Sequence, residues 1–308
     1  MVVALILFLV AVGSVAFHFW SPWWWTPIAS NWGYIDDTII ITFWITGVVF
    51  VAIVLFMAYC VYRYRYRPDR RAEYEPENKK LEWWLTGLTT LGVAGMLTPG
   101  LFVWDQYVTV PDGAAEVEVV AQQWNWRYRF PGEDGVMGTS DVRNINDENP
   151  FGLNPNDPNG QDDVLIDDSE LHLPLDQPVK VLLRSIDVLH DFYVPQFRAK
   201  MDMVPGMITY FWFTPTRTGT FDVLCFELCG VGHYDMRGVV VVEAESDFQA
   251  WLQEQPTFAQ SLALARDGKM DVSNLDSSEA VAESAGSGVR ANGLGPLEPN
   301  EREAKRVF

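Results

Sequence analysis

Apolar positions follow two regimes along the chain. In the first hundred residues they form unbroken runs; beyond them they alternate with polar positions. Three runs, at about 1–20, 38–62 and 83–104, approach or exceed the length of a membrane span. A span takes about 20 apolar residues to cross roughly 30 Å of hydrocarbon. Trp20, Trp23, Trp24 and Trp25 follow the first run, and Trp83 and Trp84 open the third. That placement suits an interfacial aromatic belt. The loop between the second and third runs carries Arg63, Arg65, Arg67, Arg70, Arg71, Lys79 and Lys80. Basic residues beside span ends stay cytoplasmic, so residues 105–308 are predicted outside and the first run begins inside. That run lacks the basic start and the small-residue cleavage site of a signal peptide, so it reads as a retained third span.

Past Trp104, residues 115–130 read as one alternating strand. Shorter strands are predicted at 179–184, 210–213, 219–224 and 238–243, separated by turn residues. Short strands with turn signals predict an antiparallel sandwich or Greek-key barrel over 106–245. Residues 131–170, rich in Gly, Asn, Pro and Asp, read as a long surface insertion. Residues 246–261 read as one short helix. From about Asp267 the chain becomes a Ser-, Ala-, Gly- and Glu-rich tail that a partner would order. The predicted organisation is a membrane-anchored all-β protein: a transmembrane helical anchor (1–105), the β-domain (106–245), and a helix with an extended tail (246–308).

Charge sharpens this division. The chain has 308 residues, 22 Lys+Arg and 41 Asp+Glu, for a net charge of −19. Residues 1–104 hold seven basic and seven acidic side chains, so the whole excess belongs to the exterior part. The insertion alone has eleven acidic residues against one base, Arg143. A nucleic-acid partner bound through a basic footprint is excluded. Three cysteines, Cys60, Cys225 and Cys229, are too few for a disulfide scaffold.

The candidate chemistry lies in Cys225-Phe-Glu227-Leu-Cys229-Gly-Val-Gly-His233-Tyr-Asp-Met236, with His190 upstream in the loop run DVLHDFYVPQF. Thiolate, imidazole and thioether on one loop, with a distant His, form the blue-copper pattern of a cupredoxin-like β-barrel. A second cysteine allows two bridged copper ions, with one His terminal to each. Met236 and the Glu227 carbonyl would act as weak axial donors. A Cys225–Cys229 disulfide or a zinc site would need fewer of these residues, and both remain open at this level.

Over about 34–244 the chain resembles subunit II of haem–copper cytochrome c oxidases, the subunit with the dinuclear CuA centre. The resemblance implies a cupredoxin-like Greek-key barrel behind transmembrane helices, with electrons passing from cytochrome c to copper and on to haem in subunit I for oxygen reduction. By motif position it implies His190, Cys225, Glu227, Cys229, His233 and Met236 as copper ligands. It also implies the Glu227 carboxylate as a ligand to magnesium at the subunit I boundary. Trp124, in Gln123-Trp124-Asn125-Trp126, would be the point where electrons enter. The alternation places Trp124 and Trp126 on one strand face, where core packing is the competing role. Asp187 would lie near the docking surface for cytochrome c. Glu82 would lie near the entrance of a proton pathway into subunit I. The implied setting is a bacterial plasma membrane, with the copper domain on the periplasmic or outer face and further membrane subunits as partners. A CuA-bearing nitric oxide reductase is an alternative within the class, and a membrane-tethered copper carrier lies outside it. Three spans instead of two, the insertion, and Phe226 in place of a small polar residue depart from the family pattern.

Overall fold

A computed structural model describes residues 1–21, 26–71, 74 and 76–266. Three helices, α1 (Val2–Trp20), α2 (Gly33–Arg63) and α3 (Lys79–Val108), are each long and apolar enough to cross a membrane. α1 packs along α2, burying Ala4, Ala11 and Ala58. His18 stands edge-on to Trp44 across that seam. The Asn78 side chain accepts from the Leu81 N–H and caps α3. The expected belt residues Trp23, Trp24 and Trp25, and the tail from Asp267, lie outside the described residues.

The β-domain is a sandwich of ten strands: β1 (Ala115–Gln122), β2 (Asn125–Phe130), β3 (Val164–Ile166), β4 (Glu170–Pro174), β5 (Val179–Ser185), β6 (His190–Val194), β7 (Ala199–Met203), β8 (Thr209–Phe213), β9 (Gly219–Cys225) and β10 (Arg237–Glu243). One sheet runs β3-β2-β1-β5-β8 and the other β4-β10-β9-β6-β7. The sheets are not wholly antiparallel as expected: β1 pairs with β5, and β4 with β10, in parallel. Inward residues such as Val117, Val119, Leu183, Phe192, Phe211, Val223 and Val240 form the core, as period-two burial requires.

Three expectations are corrected. Residues 115–130 form a hairpin, not one strand: Gln122 pairs with Asn125, leaving Gln123-Trp124 as a two-residue turn without glycine or asparagine to mark it. His190 opens a strand and pairs with Met203; it is not a loop residue. The predicted single helix is two, α4 (Glu245–Glu254) and α5 (Phe258–Arg266), separated at Pro256, where the pyrrolidine ring disfavours helix in the residue before it.

The insertion is more than surface. Phe151, Leu153 and Leu165 bury with Val120 and Phe258 on the outer face of the first sheet. Beneath it, Glu118 receives Arg129 (2.8 Å) and Arg184 (3.1 Å), while Arg129 also bonds Asp163 (2.8 Å) and the Gly138 carbonyl (2.8 Å). Burial pushes the Glu118 carboxyl up, but the two guanidinium groups hold it below its ordinary value. On the other sheet, His172 lies between Glu243 (2.7 Å) and Glu170 (2.8 Å) and stacks on Trp251, fastening α4.

The anchor is tied to the sandwich at a dense junction. Buried Trp32 packs on Tyr107 and Trp212, and its Nε1 donates to the Trp212 carbonyl (2.8 Å). Trp212 in turn donates to the Gln106 carbonyl (2.8 Å). Arg198 bonds both Asp36 carboxylate oxygens (2.7 and 2.9 Å), the two-pronged geometry that orients as well as attracts.

Candidate metal centre

β9 and β10 are neighbours, and the loop joining them carries most of the candidate donors. β6 pairs beside β9, with Phe192 opposite Cys225, so His190 arrives at the same end of the sheet. Cys225 Sγ stands 3.8 Å from His190 Nδ1, 3.2 Å from the Glu227 carbonyl oxygen and 3.7 Å from Cys229 Sγ. Cys229 Sγ stands 3.6 Å from His233 Nδ1 and 3.8 Å from Met236 Sδ. His190, Cys225, Cys229 and Met236 are buried, whereas His233 and Glu227 are half-buried. A disulfide requires sulfurs about 2.05 Å apart, and both cysteines are free.

The nearest histidine differs for the two cysteines, His190 for Cys225 and His233 for Cys229, and His233 also acts on Cys225. Among the described residues, His190, Cys225 and Cys229 form a group whose donor atoms all lie within 4.8 Å of one another. Burial pushes the Cys225 thiol up, but His190 and backbone groups of Asp191 and Glu227 outweigh it and bring it to about 6. Burial and the charge on Cys225 push Cys229 up to about 12. Burial lowers His190, but the Asp187 carboxylate and Cys225 more than reverse this, to about 9.

Asp187, expected near the docking surface, is half-buried just beyond the end of β5. Its carboxylate takes the N–H groups of Gln123 (2.6 Å) and Val188 (2.6 Å) and meets His190 Nε2 at 2.8 Å. Burial raises its carboxyl, and these bonds lower it below its ordinary value. Its oxygens are spent inward, leaving Nδ1 of His190 facing Cys225. Metal-ligating histidines commonly have their second nitrogen held in this way.

Trp124 is not on one strand face with Trp126. Trp126 is 1% exposed in the core, whereas Trp124, in the turn, is 37% exposed. Its indole lies on the metal loop: a Cβ on Gly232 would overlap the ring, and Gly230, with φ +119°, leaves room for Gln123 and Trp124. Trp124 Nε1 donates to the Cys229 carbonyl at 3.3 Å, and Gln123 Nε2 to the same oxygen at 2.7 Å. Sequence reasoning assigned no role to Gln123, since nothing in its spacing reports the turn. Glu82 lies exposed in the first turn of α3, far along the chain from this cluster. The Glu227 carboxylate has no ion pair among the described residues.

The fold and the cluster define a membrane-anchored, cupredoxin-like domain with a sulfur- and imidazole-rich cluster that could hold a metal ion. The family model for the periplasmic domain of cytochrome c oxidase subunit II matches residues 115–244. The alternative cytochrome c oxidase subunit 2 of Bradyrhizobium diazoefficiens is 70% identical over 259 residues, covering 84% of this chain and 94% of that one. The cytochrome c oxidase subunit 2 of Cereibacter sphaeroides is 27% identical over 240 residues, covering 74% of this chain and 77% of that one. The solved periplasmic domain of subunit II from Bradyrhizobium japonicum is 25% identical, covering 47% of this chain and 95% of that chain, with a TM-score of 0.35. The chain belongs to the cytochrome c oxidase subunit II family, and so to a haem–copper oxidoreductase.

Proposed function

We propose that this subunit accepts electrons from cytochrome c at a dinuclear copper centre and passes them to haem in subunit I for oxygen reduction. The observation that carries the reading is the arrangement of one histidine beside each of two adjacent cysteines. A single tetrahedral ion would draw both imidazoles toward one point; here they flank the sulfur pair. Buried sulfur donors flanked by imidazoles, one of them fixed by a carboxylate, with a thioether and a backbone carbonyl, fit copper by ligand softness. Bound there, two copper ions sharing both thiolates would take up and release a single electron.

The chain's own residues set the conditions for that exchange. Cys225, Cys229, His190 and His233 would hold the copper, with Met236 and the Glu227 carbonyl as weaker donors. Asp187 holds His190 in the tautomer that leaves Nδ1 free. Trp124 lies between solvent and the Cys229 carbonyl, where an electron arriving from outside would enter. We assign the unpaired Glu227 carboxylate to magnesium at the boundary with subunit I, and Glu82 to the entrance of a proton pathway on the opposite side of a bacterial plasma membrane. The acidic exterior favours a basic donor, since such fields raise association rates by about 10- to 1000-fold and fade with salt.

Rapid mixing of the assembled oxidase with reduced, basic cytochrome c tests this. The second-order rate should fall as salt rises, and Trp124→Leu should slow the first electron transfer at unchanged copper content. A rate indifferent to both would overturn the reading.

A further inference from the structure

The turn between β1 and β2 does more than present Trp124. Gln123 is an exposed residue, and a glutamine at a turn tip ordinarily spends its amide on water. Here the amide is folded inward, and its Nε2 lies 2.7 Å from the Cys229 carbonyl oxygen. The backbone N–H of the same residue lies 2.6 Å from Asp187 Oδ2, and Asp187 meets His190. One residue therefore touches both ligand-bearing segments, the one ending in His190 and the loop containing Cys229.

The framework fixes where this residue begins. Ala121 pairs with Trp126 on one side and with Ser185 on the other, and the Ile186 N–H bonds the Ala121 carbonyl at 3.2 Å. The ends of β1 and β5 are thus held side by side, with Gln123 just beyond one and Asp187 just beyond the other. Room on the far side comes from Gly230: a Cβ there would stand 2.9 Å from Gln123 Nε2, in a backbone region unfavourable to other residues. The loop after Cys229 is shaped to admit this side chain.

We propose that Gln123 is a positioning residue of the metal centre, clamping the Cys229 carbonyl to the Asp187–His190 pair so that both thiolates and His190 are held in register before metal arrives. The proposal rests on the copper reading above and adds a residue to it. Gln123 fills no part of the core, so its truncation leaves no cavity. Its loss should be felt at the metal and not in folding. Outer partners of metal ligands typically contribute 10- to 100-fold in affinity or activity.

The test is Gln123→Met, which keeps length and the backbone N–H but removes the amide donor. Copper is titrated into the metal-free full-length chain in detergent against a competing copper(I) chelator. Electron paramagnetic resonance and midpoint potential are recorded on the loaded chain, and thermal unfolding on the metal-free one. The expected result is a 10- to 100-fold loss of copper affinity, with altered copper hyperfine splitting, a shifted potential and an unchanged unfolding midpoint. Wild-type affinity, spectrum and potential in the variant would overturn the clamp while leaving the copper reading intact. A loss of copper that merely follows a lowered unfolding midpoint would also overturn it, by assigning Gln123 to folding. Failure of the wild-type chain to take up two copper ions would overturn both.

Discussion

Beneath the insertion, Glu118, Arg129, Arg184 and Asp163 bury two positive and two negative charges against one another. The carbonyls of Gly138 and Phe151 take the spare guanidinium donors. At the loop end of the same sandwich, two sulfurs, two imidazoles, a thioether and a carbonyl face one another at 3.2–3.8 Å. Both clusters are polar and largely buried. The first is electrostatically closed, because every charge has its counter-charge, and it serves to rivet the insertion to β1, β2 and β5. The second has only its two imidazoles beside the sulfurs, and its sulfur contacts are weak hydrogen bonds at best. A buried polar group costs free energy unless it is paired. The unpaired cluster is therefore where a cation belongs, and the paired one is where it does not.

The comparison can be broken first at the sulfurs. Cys225→Ser or Cys229→Ser should abolish copper binding altogether, measured as metal content of the purified complex, with little change in the metal-free fold. Met236→Leu should keep the copper and shift only its potential, as expected of a weak axial donor. If either serine variant held the normal copper complement, the cluster would not be the metal site.

Next in size is the closed cluster. Glu118→Gln leaves two buried guanidinium groups short of their shared partner, and breaking a buried pair costs about 3–5 kcal/mol. Denaturant unfolding of the metal-free chain should show that loss, while the folded fraction keeps its copper stoichiometry. Copper loss without instability would show that the two clusters are not separate in function. A smaller effect is expected at the boundary between loop and turn. Gly232→Ala forces the Trp124 indole off the loop, an overpacking change of about 1–3 kcal/mol, and should slow delivery of the first electron more than it weakens copper binding.

The same contrast explains what could be read from the chain. The donors of the open cluster were legible because soft ligands at spacings of four, four and three residues have few competing uses. The three apolar runs were legible because a membrane span imposes length. The closed cluster was not legible: read as one strand, residues 115–130 put Glu118 and Arg129 on opposite faces, and only the hairpin pairs them on the outer face of the first sheet. Only the insertion folding back over that face, with Phe151 and Leu153 among its polar residues, buries them. The turn at Gln123-Trp124 was hidden because it lacks turn residues, and with it went the true settings of Trp124 and Gln123. Asp187 was singled out only as a docking residue: its bond to His190 spans three positions, but the one to the Gln123 N–H joins segments distant in sequence, which no spacing reports.

The central claim is that the open cluster holds two copper ions sharing one unpaired electron across both cysteines. Metal analysis of the purified complex, together with electron paramagnetic resonance of the oxidised centre, addresses it most directly. The account predicts two copper ions at this site per chain and hyperfine splitting from two nuclei. One copper, a zinc ion, or splitting from a single nucleus would contradict it.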